Sequence, residues 1–413
     1  MSVGQTAMRS DSQVLIAGGG IAGLALATAL AQRGVAVDLL EQAANFTDIG
    51  AGLQISPNGA RVLQALGLGE ALDGHSIKAE AVVLHDGVRD TRLIAMNLAR
   101  IGGFHLLHRA DLVALLAKAA ADAGARLTLN ARITGIKPGA VTLADGTRRE
   151  ARLIVGADGV QSAVRAALNG AETPFFTGQA AWRALIPAEP GTPPLVEVFT
   201  GPGRHLVSYP LRGASLRNIV AVEERIGWTA ECWSHRDDPA HLRAAFSGFC
   251  PRVQGWLAQI DAPLLWGLHR HAVASRWHGE GLAILGDAAH PTLPFLAQGA
   301  NMALEDAWVL ADIVAQDQPL AAYQAARQTR VSRIVATATA NARAYHLSGP
   351  KRTAAHLALR LAGRLAPNLV LRRFDWVYRE DVTGGVPVPA FDPIFCSKIS
   401  PGGSGGVKPP ASS

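Results

Sequence analysis

The apolar pattern opens with a short run, Gln13 to Ala17, that stops at three consecutive glycines. A run of that length closed by turn residues predicts a buried strand. Gly18 to Gly23 then predicts a turn, Leu24 to Arg33 a helix stopped by Gly34, and Val35 to Leu40 a second strand ending at Glu41. Strand, crossover helix and strand make a βαβ unit with parallel strands. Further on come a loop with Gly50 and Gly52, a helix from Pro57 to Leu66 and another from Arg109 to Ala123. Leu127 to Ile136 and Ala140 to Leu143 read as a hairpin, with Asp145-Gly146 as a turn signal. Arg152 to Val155 reads as one more buried strand, running into Gly156-Ala-Asp-Gly159.

Between Phe175 and Trp266 the texture changes: Trp182, Trp228, Trp233 and Trp256 enter, and alternation at His205 to Leu211 and Asn218 to Glu223 predicts strands with one exposed face. The buried-strand pattern returns at Leu282 to Asp287, before a proline-containing loop and a long helix from Gly299. The first domain is therefore interrupted. Arg352 to Arg373 is amphipathic and basic, suited to packing on its own protein or to lying on an anionic membrane. The expected organisation is an extension over 1–12, a dinucleotide-binding domain over 13–175 with a few substrate-domain strands near 77–105, a sheet module over 176–266, the domain's second part over 267–345, a helical segment over 346–393 and a disordered tail over 394–413.

Composition narrows the function classes. With 413 residues, 49% hydrophobic and 17% charged, the chain can bury a sizeable core, which excludes a disordered scaffold. The net charge of +6 is mild and forms no basic stripe, so no nucleic-acid partner is expected. Cys232, Cys250 and Cys396 form no CxxC pair, which points to a reducing cytoplasm and no metal site. Val14 to Ala31 is apolar for almost the length of a bilayer span, but its glycines argue against a continuous helix, and no membrane span is expected.

Two motifs carry chemistry. Gly18-x-Gly20-x-x-Gly23, with Ala22 inside it, lies between a strand and a helix, and Glu41 ends the next strand. Glycines there let backbone approach a pyrophosphate at a helix N-terminus, while the carboxylate accepts hydrogen bonds from ribose hydroxyls; an acidic residue favours FAD or NAD over NADP. Leu285-Gly-Asp287 followed by a helix at Gly299 would bring a carboxylate and unpaired helix N–H groups into one crevice, though an ordinary strand, loop and capping Asp has the same pattern. His290, beside a proline, reads as structural.

Together with Gly156-Ala-Asp-Gly-Val-Gln-Ser-Ala-Val-Arg165, these segments resemble the three motifs of class A FAD-dependent aromatic hydroxylases. The likeness is greatest to the salicylate hydroxylase and 3-hydroxybenzoate 6-hydroxylase branch and spans about residues 13–380. The resemblance implies an α/β fold of the para-hydroxybenzoate hydroxylase type: a Rossmann-like FAD-binding domain interrupted by a sheet-rich substrate domain, with a C-terminal helical segment. It implies that Gly18, Gly20, Ala22, Gly23, Glu41, Gly52, Arg109, Asp158, Asp287, Gly299, Ala300 and Asn301 hold FAD. In that scheme Glu41 takes the adenosine ribose, Asp287 the ribityl chain, and the helix start at Gly299 the flavin pyrimidine. NADH or NADPH would dock transiently, since the chain has no second fingerprint. O₂ would add at flavin C4a, and the hydroperoxide would pass one oxygen to an electron-rich ring. A homodimer is a candidate assembly.

For the substrate, His205 and Tyr209 stand at i and i+4 on a predicted strand and share a face, as catalytic groups or as ordinary strand residues. Arg183 could meet a substrate carboxylate or be structural. Phe295 stands where relatives often carry a polar ring, which favours a more apolar substrate. Gln54 and Ser208 stand where some relatives carry histidine. The alternative activity is a flavin-dependent epoxidase or tailoring oxidase of a larger metabolite on the same fold. A flavin-binding protein without turnover is a third reading, against which the unbroken glycine motifs argue.

Overall fold

The computed structural model describes residues 13–46, 52–225, 227 and 235–384. The expected extension over 1–12, the tail, Gly50, Trp228, Trp233, Cys232 and Cys396 lie outside them. Cys250 is buried with a free thiol.

A six-stranded sheet forms the floor of the first domain, in the order His278–Gly279, Leu282–Ile284, Leu153–Gly156, Val14–Ala17, Val37–Leu40, Arg126–Thr128. All its pairs are parallel except the first. Its central strands are buried on both faces, which is why they read as unbroken apolar runs rather than alternating ones. The helix Ile21–Gln32 starts inside the glycine motif, three residues before Leu24, because it is buried almost all round against helices Arg109–Asp122 and Gly299–Ala315. The apolar stretch Val14 to Ala31 is thus strand, turn and helix; no helix among the described residues is long and apolar enough to cross a membrane.

The second sheet has seven strands in the order Leu264–Arg270, Phe175–Pro187, Leu216–Glu224, Arg204–Leu211, Leu195–Gly201, Ala81–Asp86, Thr91–Asn97. The sheet therefore takes in two strands from 81–97, resumes at Phe175 and runs past the expected boundary at 266. Of the strands near 77–105, Phe104–His108 lies instead between Gly52–Ile55 and Ile77–Ala79 in a small sheet that bridges the domains. The expected exposed face is absent: Arg204–Leu211 and Leu216–Glu224 are mostly buried. One face is covered by helices Pro239–Ala245 and Pro251–Ala258, through Trp182, Phe199, Phe246 and Trp256. The other lines a cavity described below.

Leu127 to Ile136 is not one hairpin arm. Arg126–Thr128 joins the parallel sheet, Asn130 turns the chain with φ +54°, and Ile133–Lys137 starts a separate sheet with Ala140–Leu143 and Arg148–Glu150. Asp145-Gly146 does turn the chain there: Gly146 takes φ +84° and Leu143 N donates to Thr147 O at 2.8 Å.

The basic C-terminal stretch is two helices, Gly349–Leu365 and Pro367–Arg372, broken where the proline forbids continuation. The first packs on its own protein: Arg352 reaches Asp86 at 2.5 Å and Arg360 donates to Thr91 at 2.7 Å. Leu357, Leu361 and Leu365 of this helix stay exposed, as does Leu369 of the second.

A buried ionic cluster locks the long helix Gly299–Ala315. Arg327, 1% exposed, lies 2.5 Å from Glu305 and 2.8 Å from Asp306. His290 Nε2 meets Asp306 at 2.5 Å, Asn58 donates to Glu305 at 2.6 Å, and Arg330 reaches Glu305 at 2.8 Å. Burial opposes ionisation of Asp306, yet His290 and Arg327 outweigh it and bring the carboxyl down to about 2.

Arg327→Met should therefore cost about 3–5 kcal/mol, because it removes the buried cation that both carboxylates share, read as a lowered denaturation midpoint in the FAD-loaded protein. Since the folded pKa of Asp306 lies below its unfolded value, its contribution is complete above the ordinary carboxylate range and is lost as pH falls toward about 2.

Candidate active site

The glycines of the fingerprint have separable physical duties. Gly18 adopts φ +107°, and a Cβ there would stand 2.5 Å from Ala157 O. A Cβ on Gly23 would lie 2.0 Å from Gly18 O, so helix and turn can approach only through glycine. Around Gly20 nothing lies within 4 Å of such an atom, and Gly20 and Ala22 line the cavity. Glu41 Oε2 accepts from Gly19 N at 2.6 Å and its Oε1 from Ala43 N at 2.7 Å, so the carboxylate is held against the turn.

Asp158 accepts from Ala163 N at 2.8 Å, but its Oδ1 is buried without a hydrogen-bond partner. Burial raises its carboxyl pKa, with Ser162 and neighbouring backbone N–H groups pulling the other way. Arg165 from the same motif is buried and donates to Ala288 O at 3.1 Å and Ala289 O at 3.2 Å, tying that segment to the turn carrying Asp287. Asp287 opens into the cavity, while protein packs densely on its other sides and pushes its pKa up; His290 and Arg109 pull it down, and Asp306 raises it.

Gly299 and Ala300 line the same cavity at the start of the long helix. The backbone N–H groups of Gly299, Ala300 and Asn301 precede the bond from Met302 N to Gln298 O, so they have no partner one turn earlier within the helix. The Asn301 side chain points elsewhere: it accepts from Ser56 N at 2.9 Å and donates to Gln54 O at 3.1 Å. Its role is to pin the Gly52–Ile55 segment. The orphaned Asp158 oxygen, the open space at Gly20 and this helix start form a cradle fit for a dinucleotide with an anionic head, and Arg109 and Asp287 line the same cavity.

One continuous cavity of about 390 Å³ joins that cradle to the seven-stranded sheet. Arg183, His205 and Tyr209 enter from the sheet, Gln54 from the bridging strand and Phe295 from the proline-rich loop. Tyr209 is buried and hydrogen-bonds Gln54; burial raises its pKa well above the ordinary phenol value, with Arg183 and Gln54 acting against that shift. Gly52 makes this possible, since a Cβ there would come within 2.9 Å of the Tyr209 hydroxyl. Its N–H donates to Asn218 Oδ1 at 2.9 Å. The Arg183 guanidinium stacks 4.2 Å above the Trp266 ring.

His205 is 1% exposed, with its ring edge-on to Phe295 at 5.0 Å. Burial, aided by His346, holds its pKa well below the usual histidine value.

Ser208 does not join this group. Strand alternation turns it to the opposite face, where its hydroxyl accepts from Arg217 at 3.0 Å. His290 is enclosed beside Trp277 and Asp306. The stretch after Leu268 divides its duties: His269 lines the cavity, Arg270 lies over Phe175 at 5.3 Å, and His271 bonds Val160 O at 3.0 Å. Sequence reasoning missed Tyr345 and His346, which stand at the end of the second long helix with no motif, and the cavity wall formed by Leu371, Phe374 and Tyr378. Among the described residues no group of three His, Cys, Asp or Glu side chains is placed to hold a metal ion.

A Rossmann-type cradle opening onto a buried aromatic-sized cavity defines a FAD-dependent oxidoreductase. The chain belongs to the FAD binding domain family, whose model matches residues 11–338. It is 36% identical over 385 residues to a 3-amino-4-hydroxybenzoate 2-monooxygenase of Streptomyces platensis, covering 89% of this chain and 95% of that protein. It is 34% identical over 369 residues to a 3-hydroxybenzoate 6-hydroxylase of Polaromonas naphthalenivorans (strain CJ2), covering 83% and 90%. A salicylate hydroxylase substrate complex superposes with TM-score 0.75 at 25% identity, covering 89% of this chain and 95% of that one. The protein is accordingly a FAD-dependent monooxygenase of the aromatic-hydroxylase type.

The purified protein should carry FAD without a covalent link at near one per chain. Asp287→Ala should weaken its retention about 10- to 150-fold, the loss of a charge-assisted hydrogen bond of roughly 1.5–3 kcal/mol, measured by fluorescence titration of the apoprotein. Glu41→Ala should weaken FAD affinity while the identity of the product, read by mass spectrometry and NMR, stays unchanged.

Proposed function

We propose that this monooxygenase hydroxylates a small, electron-rich aromatic acid of the hydroxybenzoate or aminohydroxybenzoate kind, in the cytoplasm, consuming NADH or NADPH and O₂. The single observation that carries the reading is the continuity of the cavity, from the FAD cradle at Gly20 and Asp287 to Arg183, His205 and Tyr209 on the sheet. When bound, FAD supplies the reducing equivalents and the activation of oxygen that no side chain here could supply.

The chain's own groups divide the remaining work. Arg183, flattened on Trp266, offers a guanidinium to a substrate carboxylate and thereby sets the ring's direction. Tyr209 remains a phenol at neutral pH because burial disfavours its anion, so it donates a hydrogen bond to the substrate hydroxyl oxygen. His205 remains a neutral imidazole for the same reason, and a neutral imidazole can accept the hydroxyl proton, which enriches the ring for attack. Phe295 gives an apolar wall where a polar contact would select a more hydrophilic ring. Tyr345 and Tyr378 help close the cavity against water.

The test is NAD(P)H oxidation against a panel of phenols, hydroxybenzoates, aminohydroxybenzoates and hydroxypyridines, with product mass measured. A carboxylated phenol should stimulate oxidation and gain one oxygen; no stimulation by any phenolic acid would reject the substrate class. Tyr209→Phe should lower hydroxylation by about 10²- to 10⁴-fold and raise peroxide release, because flavin reduction does not need it. If Tyr209→Phe and His205→Ala both keep wild-type coupling, the substrate is held by other residues.

A further inference from the structure

His205 does not end at the cavity wall. Its Nδ1 lies 2.7 Å from His346 Nε2, and His346 Nδ1 lies 3.0 Å from Glu224 Oε1. His205 and His346 are 1% and 6% exposed, whereas the Glu224 side chain is 54% exposed. Three separate elements supply the chain: strand Arg204–Leu211, the residue after helix Ala321–Tyr345, and the last residue of strand Leu216–Glu224. Glu224 opens into a cleft beyond the sheet, also lined by Arg204, Arg225 and Arg343.

We propose that His205, His346 and Glu224 form a proton relay that conducts the proton of a cavity hydroxyl from His205 Nε2 to the solvent-filled cleft. This rests on the reading that a phenolic substrate occupies the cavity.

The direction of the hydrogen bonds follows from donor counting. An ionised carboxylate only accepts, so His346 Nδ1 carries the hydrogen of the contact with Glu224. A neutral imidazole has one N–H, so His346 Nε2 accepts, and the hydrogen of the 2.7 Å contact sits on His205 Nδ1. His205 Nε2 is then left with a lone pair for a molecule in the cavity. Burial lowers both histidine pKa values, while Glu224 favours the charged form of His346 and Arg204 opposes it. The other groups facing the pair are Gln179, at 3.4 Å from His346 Nδ1, and the rings of Tyr345 and Phe295 against His205. None of these is a base that could replace Glu224 as the outlet.

Transfer balances without a co-reactant. The substrate O–H bond breaks as His205 Nε2–H forms; the Nδ1 proton of His205 passes to His346 Nε2, and the Nδ1 proton of His346 passes to Glu224 and on to water. Inward passage of a proton along the same chain restores both imidazoles and reprotonates the product oxygen. His205 touches the substrate; His346 and Glu224 are positioning residues acting through it.

The first measurement needs no substrate. In ¹⁵N-labelled, FAD-loaded protein, long-range ¹H–¹⁵N spectra, assigned with His205→Gln and His346→Gln, should show both histidines protonated at Nδ1. Glu224→Gln should change the tautomer populations of His205, although the two side chains do not touch. A wild-type His205 protonated at Nε2, or one indifferent to Glu224→Gln, overturns the relay. In the second measurement, 3-hydroxybenzoate is mixed with the enzyme in weakly buffered solution containing a pH indicator. Proton release should slow at least about 10-fold in Glu224→Gln and His346→Leu and return in Glu224→Asp. Unchanged release in both variants also overturns the relay. Failure of the probe to bind tells against the substrate class, and the tautomers then decide the relay alone.

Discussion

Two neighbouring carboxylates, Glu305 and Asp306, are fully enclosed in the helix Gly299–Ala315, and the elements that frame the first-domain side of the cavity are tied to them. An unpaired buried charge is costly enough that each must find partners. Arg327 comes from the following helix, His290 and the Gly286 amide from the turn carrying Asp287, and Asn58 from the helix below the bridging strand. Because those partners belong to three segments, satisfying the carboxylates fixes where the N-terminus of helix Gly299–Ala315 stands. The cavity-facing N–H groups of Gly299 and Ala300 inherit that placement.

A second constraint joins the two domains. The short strand Gly52–Ile55 belongs to neither large sheet, yet it bonds Asn218 of one domain and Asn301 of the other. Gly52 is the tightest point, since the Tyr209 ring occupies the space a side chain would need. The two sides of the cavity are thereby held in register by buried asparagine side chains bonded to one short backbone segment, which is the geometry a reaction between two bound molecules requires.

Burial also assigns the chemistry. The same low-dielectric setting keeps Tyr209 protonated and His205 neutral, so that in the proposed reaction one donates and the other accepts at a single substrate oxygen. Two groups that look alike in a list of titratable residues thus take opposite parts. The carboxyls of Asp158 and Asp287 are likewise pushed up by enclosure, and Asp158 keeps one buried oxygen without a hydrogen-bond partner.

The βαβ unit, the glycine turn, Glu41 and the Asp287 strand were legible in the chain because each depends on local rules: apolar runs of strand length, glycine where backbone must approach backbone, a carboxylate at a strand end. The interruption of the first domain was legible for the same reason, as a change of texture. What local rules could not decide was which face of a strand meets which neighbour. Alternation showed that His205 and Tyr209 share a side, but their exposure was misjudged, because helices cover one face of the sheet and the cavity occupies the other. Ser208 illustrates the same limit, one residue from Tyr209 and turned away from it. His346 and Glu224 carry no spacing that links them to His205, and Asn301 stands in a motif whose pattern cannot tell a cofactor contact from a staple. Those assignments are contacts across more than a hundred residues of chain, and only the packing of strand against helix end creates them.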